Sequence, residues 1–567
     1  MSTGPSSFAD LRQAADKLQG SSLSSPKSLT SLSSHIPPSF TWSELTGELT
    51  RPEDKDKPQY VVALRACLDA EPSRLHEPEQ DSRPDTASRR KIRQFVARIF
   101  TPVDDAAEDD NELTHGEHTS ERRDQLARRC RSVAEDGLAV LERVGLPSGS
   151  DSGDDEDSAD AANDDAQVLY TVTALADAGQ PYTTETAAAA ATQLLQEHFQ
   201  KADKSDWIVD GILKQYLRPL FARSRPPTVT ESGRKAAFPS NPGGDNTGPK
   251  RDTTNSESPQ AKPWKYVDMR AISVFAWAVH ESDGALVRTN WPLFIPVLLA
   301  LVEDPDTPVR ARGLTLLTEF VASVPDGGGL LHTTGLDSVL ADAVFPTLLF
   351  LPRLTPEKES LQLLGPAYSA LLSLAKAAGA ADKAGSTTNN KGLPPKAAAT
   401  LLDRMLREGI FSGYFHASEH IHITEELVRQ AGRIVEAMGV YAVKHLKDLM
   451  PMYAAILMDP FAMRYKPAVA AAIDTLQTTL TNCWPRLAKT PWQEETLKML
   501  MLCWLHVEED EGTKIKDRKE TVDLKVQLVR AADTLLAIMK AAGVDLKTAV
   551  GPLVASEKHL QPLFRIE

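Results

Sequence analysis

The chain has 567 residues, 41% hydrophobic and 25% charged, enough for several domains or one extended array. Its net charge is −15, but eight acids and no Lys or Arg lie between Ser148 and Ala166. No basic face is implied, which argues against nucleic acid as a direct partner. Cys67, Cys130, Cys483 and Cys503 lack Cys-x-x-Cys spacing and read as reduced intracellular thiols, not as a zinc site.

Taken in order, residues 1–56 are Ser- and Pro-rich, with one short amphipathic helix expected near Phe8–Leu18 and the rest expected to be mostly disordered. No apolar leader segment is seen there. Residues 57–147 hold N-terminal helices, expected over Gln59–Ala70, Ser88–Phe100 and Ser120–Val144, with a polar, acid-rich insert at Asp104–His118. Residues 148–166 read as an acidic linker, 167–222 as a helical segment, and 223–263 as a disordered loop too long for a compact domain. From Trp264 to the end, helical spacing is nearly continuous and no alternating strand run occurs. The first helix of this part is expected over Trp264–Glu281.

The organising stretch is NWPLFIPVLLALVEDPDTPVRARGLTLLTEFVASVP, from Asn290 to Pro325. A helix over about Pro292–Val302 is apolar almost all round. Pro305 and Pro308 end it, Asp306 or Thr307 caps the next helix, and Leu314, Leu317, Val321 and Val324 give that helix its stripe. The apolar run is short of the ~20 residues a membrane helix needs. Such a hairpin cannot bury both faces alone and needs like neighbours, which is the logic of a solenoid. Pro296, Asp304, Pro305, Val309 and Arg310 resemble the turn of a HEAT repeat. An offset of 155 carries Pro296, Asp304 and Pro305 onto Pro451, Asp459 and Pro460, and Val321 onto Leu476; Tyr465 stands where the arginine would be, with Arg464 one position early. The expected fold is an all-α α-solenoid of HEAT-like hairpins with disordered N-terminus and inserts.

No phosphate loop, nucleophile elbow or His-Glu-x-x-His helix is present. His416, His420 and His422 are the best metal candidates, weighed against a plain loop entering the helix at Glu425 with Thr424 as cap. Ser152, in Asp-Ser-Gly-Asp-Asp-Glu-Asp, is a candidate site for an acid-directed kinase. Arg310, Arg312, Phe461, Arg464 and Tyr465 are candidates for a partner surface.

Three blocks between Trp264 and Leu505 resemble the Tel-two-interacting protein two (Tti-two) family. They are PLFIPVLLALVEDPDTPVRARGLTLLTEFV, the run from Thr334 to Ala375, and LKDLMPMYAAILMDPFAMRYKPAVAAAIDTLQTTLTNCWPRL from Leu446 to Leu487. The low-complexity inserts point to a filamentous-fungal member. The resemblance implies a non-catalytic scaffold without cofactor or metal. It implies assembly with the other two subunits of the TTT co-chaperone complex, which serves phosphatidylinositol-3-kinase-related kinases. The ninety-kilodalton heat-shock chaperone and its Rvb-containing adaptor would be indirect partners, in cytoplasm and nucleus, with no membrane. The alternatives are a karyopherin-like HEAT transport receptor or adaptor and a HEAT-repeat metal hydroxylase; only His76-Glu77 and His280-Glu281 offer the dipeptides of the latter.

Overall fold

A computed structural model describes residues 8–18, 26–54, 57–70, 74–76, 82–100, 115–147, 158–224, 258–324, 329–385, 396–513 and 518–564. Its fold is an all-α solenoid of stacked helical hairpins. The described residues form two compact units, 8–224 with 258–286, and 287–564. Ser152, most of the insert expected at 104–118 and most of the loop expected at 223–263 lie outside the described residues; the end of that insert, from His115, already belongs to a helix, His115–Val144.

The first unit holds α1 (Phe8–Asp16), α2 (Pro26–Ser33), α3 (Trp42–Leu49), α4 (Gln59–Leu68), α5 (Ser82–Phe100), α6 (His115–Val144), α7 (Ser158–Leu175) and α8 (Glu185–Phe199). Then α9 (Lys204–Asp206) runs on as a π-helix, Trp207–Leu217, and α10 (Arg218–Phe221), followed by α11 (Pro263–Tyr266) and α12 (Ala271–Glu281). Elements two apart in sequence stack in rows, α2, α4, α6 and α8 in one and α3, α5 and α7 in the other, and α12 then packs on α7. A row of this kind buries on each helix the face its own hairpin leaves open.

The expectation of a mostly disordered segment before residue 57 is corrected. Its apolar residues are few, but Leu11, Ala15, Leu32, Ile36, Trp42, Leu45 and Leu49 are all buried. Thr41 and Glu44 form a reciprocal capping box at α3, and buried Asp54 is held by Arg12 at 2.7 Å and Lys57 at 2.9 Å. Phe40–Thr41 pairs in parallel with Leu75–His76, a two-residue contact that adds no sheet core. The acidic linker also shrinks, because α7 starts at Ser158. There Asp164 accepts from Gln94 at 2.7 Å and Asp165 pairs with Arg90 at 3.4 Å, and acids suit a helix N-terminus.

The division after Leu286, in place of 263/264, has a physical cause: residues 258–281 are tied to the helices before them. The expected helix Trp264–Glu281 breaks at Val267–Arg270, where Asp268 folds onto Arg270, accepting from its backbone N–H and from Nε, each at 3.0 Å, and from Nη2 at 2.8 Å. Arg270 also donates to Thr171 and Gln167 of α7, both at 2.9 Å, and Tyr216 donates to Asp268 at 2.8 Å. Burial by itself would raise the Asp268 carboxyl, but the Arg270 charge and these hydrogen bonds outweigh it and hold the group below its ordinary value. Residues 223–224 and 260–264 are also joined: Trp264 Nε1 donates to the Ser224 hydroxyl at 2.9 Å, and Arg223 to the Gln260 carbonyl at 3.1 Å.

The second unit takes most of α13 (Gly284–Val302), then α14 (Thr307–Ser323), α15 (Gly329–Thr334), α16 (Leu336–Val344), a 3-10 turn Phe345–Leu349, and α17 (Glu357–Gly385). Next come α18 (Lys396–Arg404), continued by a second π-helix, Met405–Phe411, then α19 (Ser412–Ala417) and α20 (Ile421–Met438). The unit closes with α21 (Leu446–Leu457), α22 (Lys466–Cys483), α23 (Pro491–Thr513), α24 (Arg518–Ala541) and α25 (Leu546–Ser556). Here α14, α17, α20, α22 and α24 form one row, each against the next. Helix α13 starts eight residues before the expected Pro292 and contains both Pro292 and Pro296. By length and composition it could cross a membrane. Its apolar side chains line the core instead, with Val287, Phe294, Ile295, Leu298, Leu299 and Leu301 all buried.

The 155-residue offset holds in atomic detail at the turn. Asp304 Oδ1 accepts from the backbone N–H of Asp306 at 3.0 Å, and Asp459 Oδ1 from that of Phe461 at 2.8 Å. Past the turn the second copy adds a 3-10 turn, Ala462–Arg464, so the helix-starting Pro308 matches Pro467, not residue 463. A second offset, 198, carries the start of one π-helix onto the other, Trp207 onto Met405. It also carries Gly211-Ile212 onto Gly409-Ile410, Tyr216 onto Tyr414, and Tyr170 onto Tyr368. In each copy that last tyrosine reaches the glycine from a neighbouring helix: Tyr170 donates to the Gly211 carbonyl at 2.9 Å, and a Cβ on Gly409 would meet the Tyr368 hydroxyl. The two offsets differ by 43 (198 − 155), because the first copy carries an additional segment between Tyr216 and Pro296.

Helices α13 and α14 approach so closely that a Cβ at Gly313 would lie 2.7–2.9 Å from Leu301 Cβ, Leu301 C and Val302 N. Two of those atoms are backbone and cannot step aside. Gly47, in α3, has nothing within 4 Å of the same position. Gly313→Ala is expected to destabilise the protein by about 1–3 kcal/mol, against a helix-propensity gain of about 1 kcal/mol. Gly47→Ala should show that gain alone. Urea unfolding of the two variants checks the contrast.

Candidate partner-binding surface

The turns that open α14, α17, α20, α22 and α24 are laced to one another. Asp306 caps α14, its carboxylate accepting from the Val309 N–H at 3.3 Å. Thr307, the other cap candidate, donates to Glu359 of α17 at 2.9 Å. Glu357 at the start of α17 receives both His420 Nδ1 (3.4 Å) and His422 Nδ1 (2.8 Å) from the start of α20. Tyr465, before α22, donates to Glu425 of α20 at 2.6 Å, and its ring meets that of His422 edge-on at 4.8 Å. Buried Lys466 then pairs with Asp510 of α23 at 3.1 Å and donates to Thr521 of α24 at 3.0 Å.

These contacts relocate several candidates. Arg310 is not a surface residue. It is 8% exposed, and its guanidinium donates to the carbonyls of Asp304 (2.8 Å) and Glu303 (3.2 Å), capping the C-terminal end of α13 while lying 4.3 Å over the Phe350 ring. Burial lowers its pKa, opposed by the Asp304 and Glu303 charges. Arg312 is half-buried and engaged within the fold. Asp304 is buried and Pro305 exposed, while Pro296 and Val309 are half-buried; Pro451, Asp459 and Pro460 are exposed. Phe461 is 64% exposed, with exposed Arg464 over its ring at 5.0 Å, whereas Tyr465 is tied into the lacing.

The histidines do not converge as a ligand set. His420 and His422 share Glu357, and His416 lies edge-on to Phe415. His420, not Thr424, is the residue before α20. Among the described residues no group of three or more His, Cys, Asp or Glu could hold a metal ion. The four cysteines are buried, and burial pushes the thiols of Cys67, Cys483 and Cys503 up to about 12 and that of Cys130 to about 11. What is presented to solvent includes apolar side chains: Leu354 (91% exposed) and Phe461 on turns, Phe415 (79%) on α19, and Leu349 and Ile421 at element ends. Periodicity passes over Leu354 and Phe461 because both lie between helices.

An array of stacked hairpins held together by polar lacing and displaying apolar side chains on its turns is the form of a protein-binding solenoid. The chain belongs to the Tti2 family, whose sequence profile matches residues 168–464. The match starts well before Trp264 and stops before Leu505, so it takes in both π-helices and both aspartate turns. No curated protein matches the sequence. Among solved structures, the chain is similar over 93% of its length to an engineered protein, covering 94% of it at 12% identity with a TM-score of 0.37. It is also similar over 94% of its length to Kap121p bound to Nup53p, covering 51% of that chain at 12% identity with a TM-score of 0.36.

Arg310→Lys should lower stability by about 2 kcal/mol, since one ammonium cannot serve two buried carbonyls and stack on Phe350; equilibrium unfolding measures this. The hydrogen bond from His422 holds the Glu357 carboxyl below its ordinary value of 4.5, with burial opposing and His420 adding to it. A depressed carboxylate contributes stability above its unfolded pKa and loses it as pH falls through the folded one. The gap in urea midpoint between the native protein and Glu357→Gln should therefore be present at neutral pH and close as pH drops below about 4.

Proposed function

We propose that this protein is a non-catalytic scaffold subunit of the TTT co-chaperone complex, supporting the maturation and stability of phosphatidylinositol-3-kinase-related kinases. The observation that carries this reading is the Tti2 family match over both copies of the duplicated core. The fold supports it: stacked hairpins with exposed apolar side chains such as Leu354 and Phe461 on their turns suit a part that is gripped by other proteins. Its partners would be the other two TTT subunits and the kinases. The ninety-kilodalton heat-shock chaperone and its Rvb-containing adaptor would act through them, in cytoplasm and nucleus. Affinity purification of the full chain from its native cell, read by mass spectrometry, should recover both other subunits and at least one kinase of this class. Recovery of the chain without them would overturn the assignment.

A further inference from the structure

The C-terminal ends of α20 and α22 form an edge of different chemistry from the laced turns. The 3-10 turn Gly439–His445 follows α20 and packs on α22, and a Cβ on Gly439 would lie 4.0 Å from Asn482 Oδ1, just before Trp484. A second 3-10 turn, Trp484–Arg486, follows α22. The two turns leave Val440, Tyr441 and Trp484 exposed, the tryptophan at 57%. Residues 439–447 and 482–490 hold Lys444, Lys447, Arg486 and Lys489 and no acid, in a chain whose net charge is −15. Lys444 pairs with Asp403 of α18. Lys447, Arg486 and Lys489 are exposed and make no side-chain hydrogen bond or ion pair among the described residues. The acids that border the two stretches are Glu436, Asp448 and Glu494. Cations suit the C-terminal end of any solvated helix, but Lys489 is also held in place. Its φ of +57° is the one positive value outside glycine among the described residues, and its N–H donates to Gln493 at 3.0 Å. A Cβ on Gly543, just after α24, would lie 4.0 Å from its Nζ. The left-handed region is unfavourable for a lysine, and it is taken here in the same link that carries Trp484.

We propose that this edge binds an acidic segment of a partner protein. An apolar side chain of that segment lies on Trp484 and Tyr441, and its carboxylates meet Arg486, Lys489 and Lys447. Trp, Tyr and Arg are the residues on which binding energy concentrates in protein interfaces. Cations flanking them select an acidic sequence and speed its encounter. A membrane surface fits less well, because three apolar side chains on two short turns offer far less area than the apolar face of an amphipathic helix. Such binding is independent of the co-chaperone assignment, since it follows from the charge and exposure of these residues alone.

Panning a random peptide library on the immobilised full chain tests it. Peptides rich in Asp and Glu that also carry an aromatic or aliphatic residue should be enriched. One of these, labelled and titrated into the full chain by fluorescence anisotropy, should bind about tenfold or more weakly to Trp484→Ala. It should bind several-fold more weakly to Arg486→Gln and to Lys489→Gln, and more weakly to the native chain as salt is raised. Val526→Asp, at an exposed position nearer the start of α24, should bind it unchanged. Urea midpoints show that each variant is folded. No enrichment, enrichment of neutral or basic peptides, or binding indifferent to Trp484→Ala would overturn the proposal. So would binding to phosphatidylserine vesicles, or self-association, that Trp484→Ala abolishes, because the occupant would then be a membrane or a second copy.

Discussion

The second unit turns on the guanidinium of Arg310. A helix ends with carbonyls that have no partner within it, and in a tight hairpin the neighbouring helix shuts out the water that would otherwise serve them. Arg310 reaches back from α14 to the carbonyls of Glu303 and Asp304 and lies on Phe350, so one side chain fixes the exit of α13, the entry of α14 and the end of the following 3-10 turn. With that angle set, Gly313 permits backbone contact and Phe294 can meet Phe320 at 5.5 Å. Each later hairpin is then located by a polar bond at the head of its second helix, from Thr307 through Glu357 and Tyr465 to Lys466.

The part of this that could be read from the residues is the part that repeats locally. The proline-interrupted helix, the aspartate turn and the stripe of α14 are periodic and short-range, and the offset of 155 links two aspartates that make the same bond. Arg310 was misplaced because a capping arginine and a solvated one occupy the same helical register; only the path of the preceding carbonyls separates them. Helices α2 and α3, before residue 57, are not legible because their apolar residues are sparse, though Leu32, Trp42, Leu45 and Leu49 are buried. The offset of 198 is faint in the sequence because its signal is concentrated in a glycine-isoleucine pair and two tyrosines, and interposed residues shift it from the first register.

The two stretches related by these offsets differ in how they are held together. One copy closes its π-helix with Asp268 and Arg270, forming a buried ion pair whose separation would leave a charge without a partner. The other copy has Ile423 and Glu425 at those positions and lengthens the aspartate turn by a 3-10 turn, where Tyr465 donates to Glu425. The same backbone plan is thus stabilised by an internal charge pair in one place and by contacts between successive hairpins in the other.

The burial of the cysteines has a practical corollary. Cys67 and Cys130 belong to one unit, Cys483 and Cys503 to the other, and none is accessible in the folded chain. Alkylation in native buffer therefore waits on local opening, and the modified sulfur identifies which half has breathed. The polypeptide carries its own pair of stopwatches, one for each unit, without any engineered label.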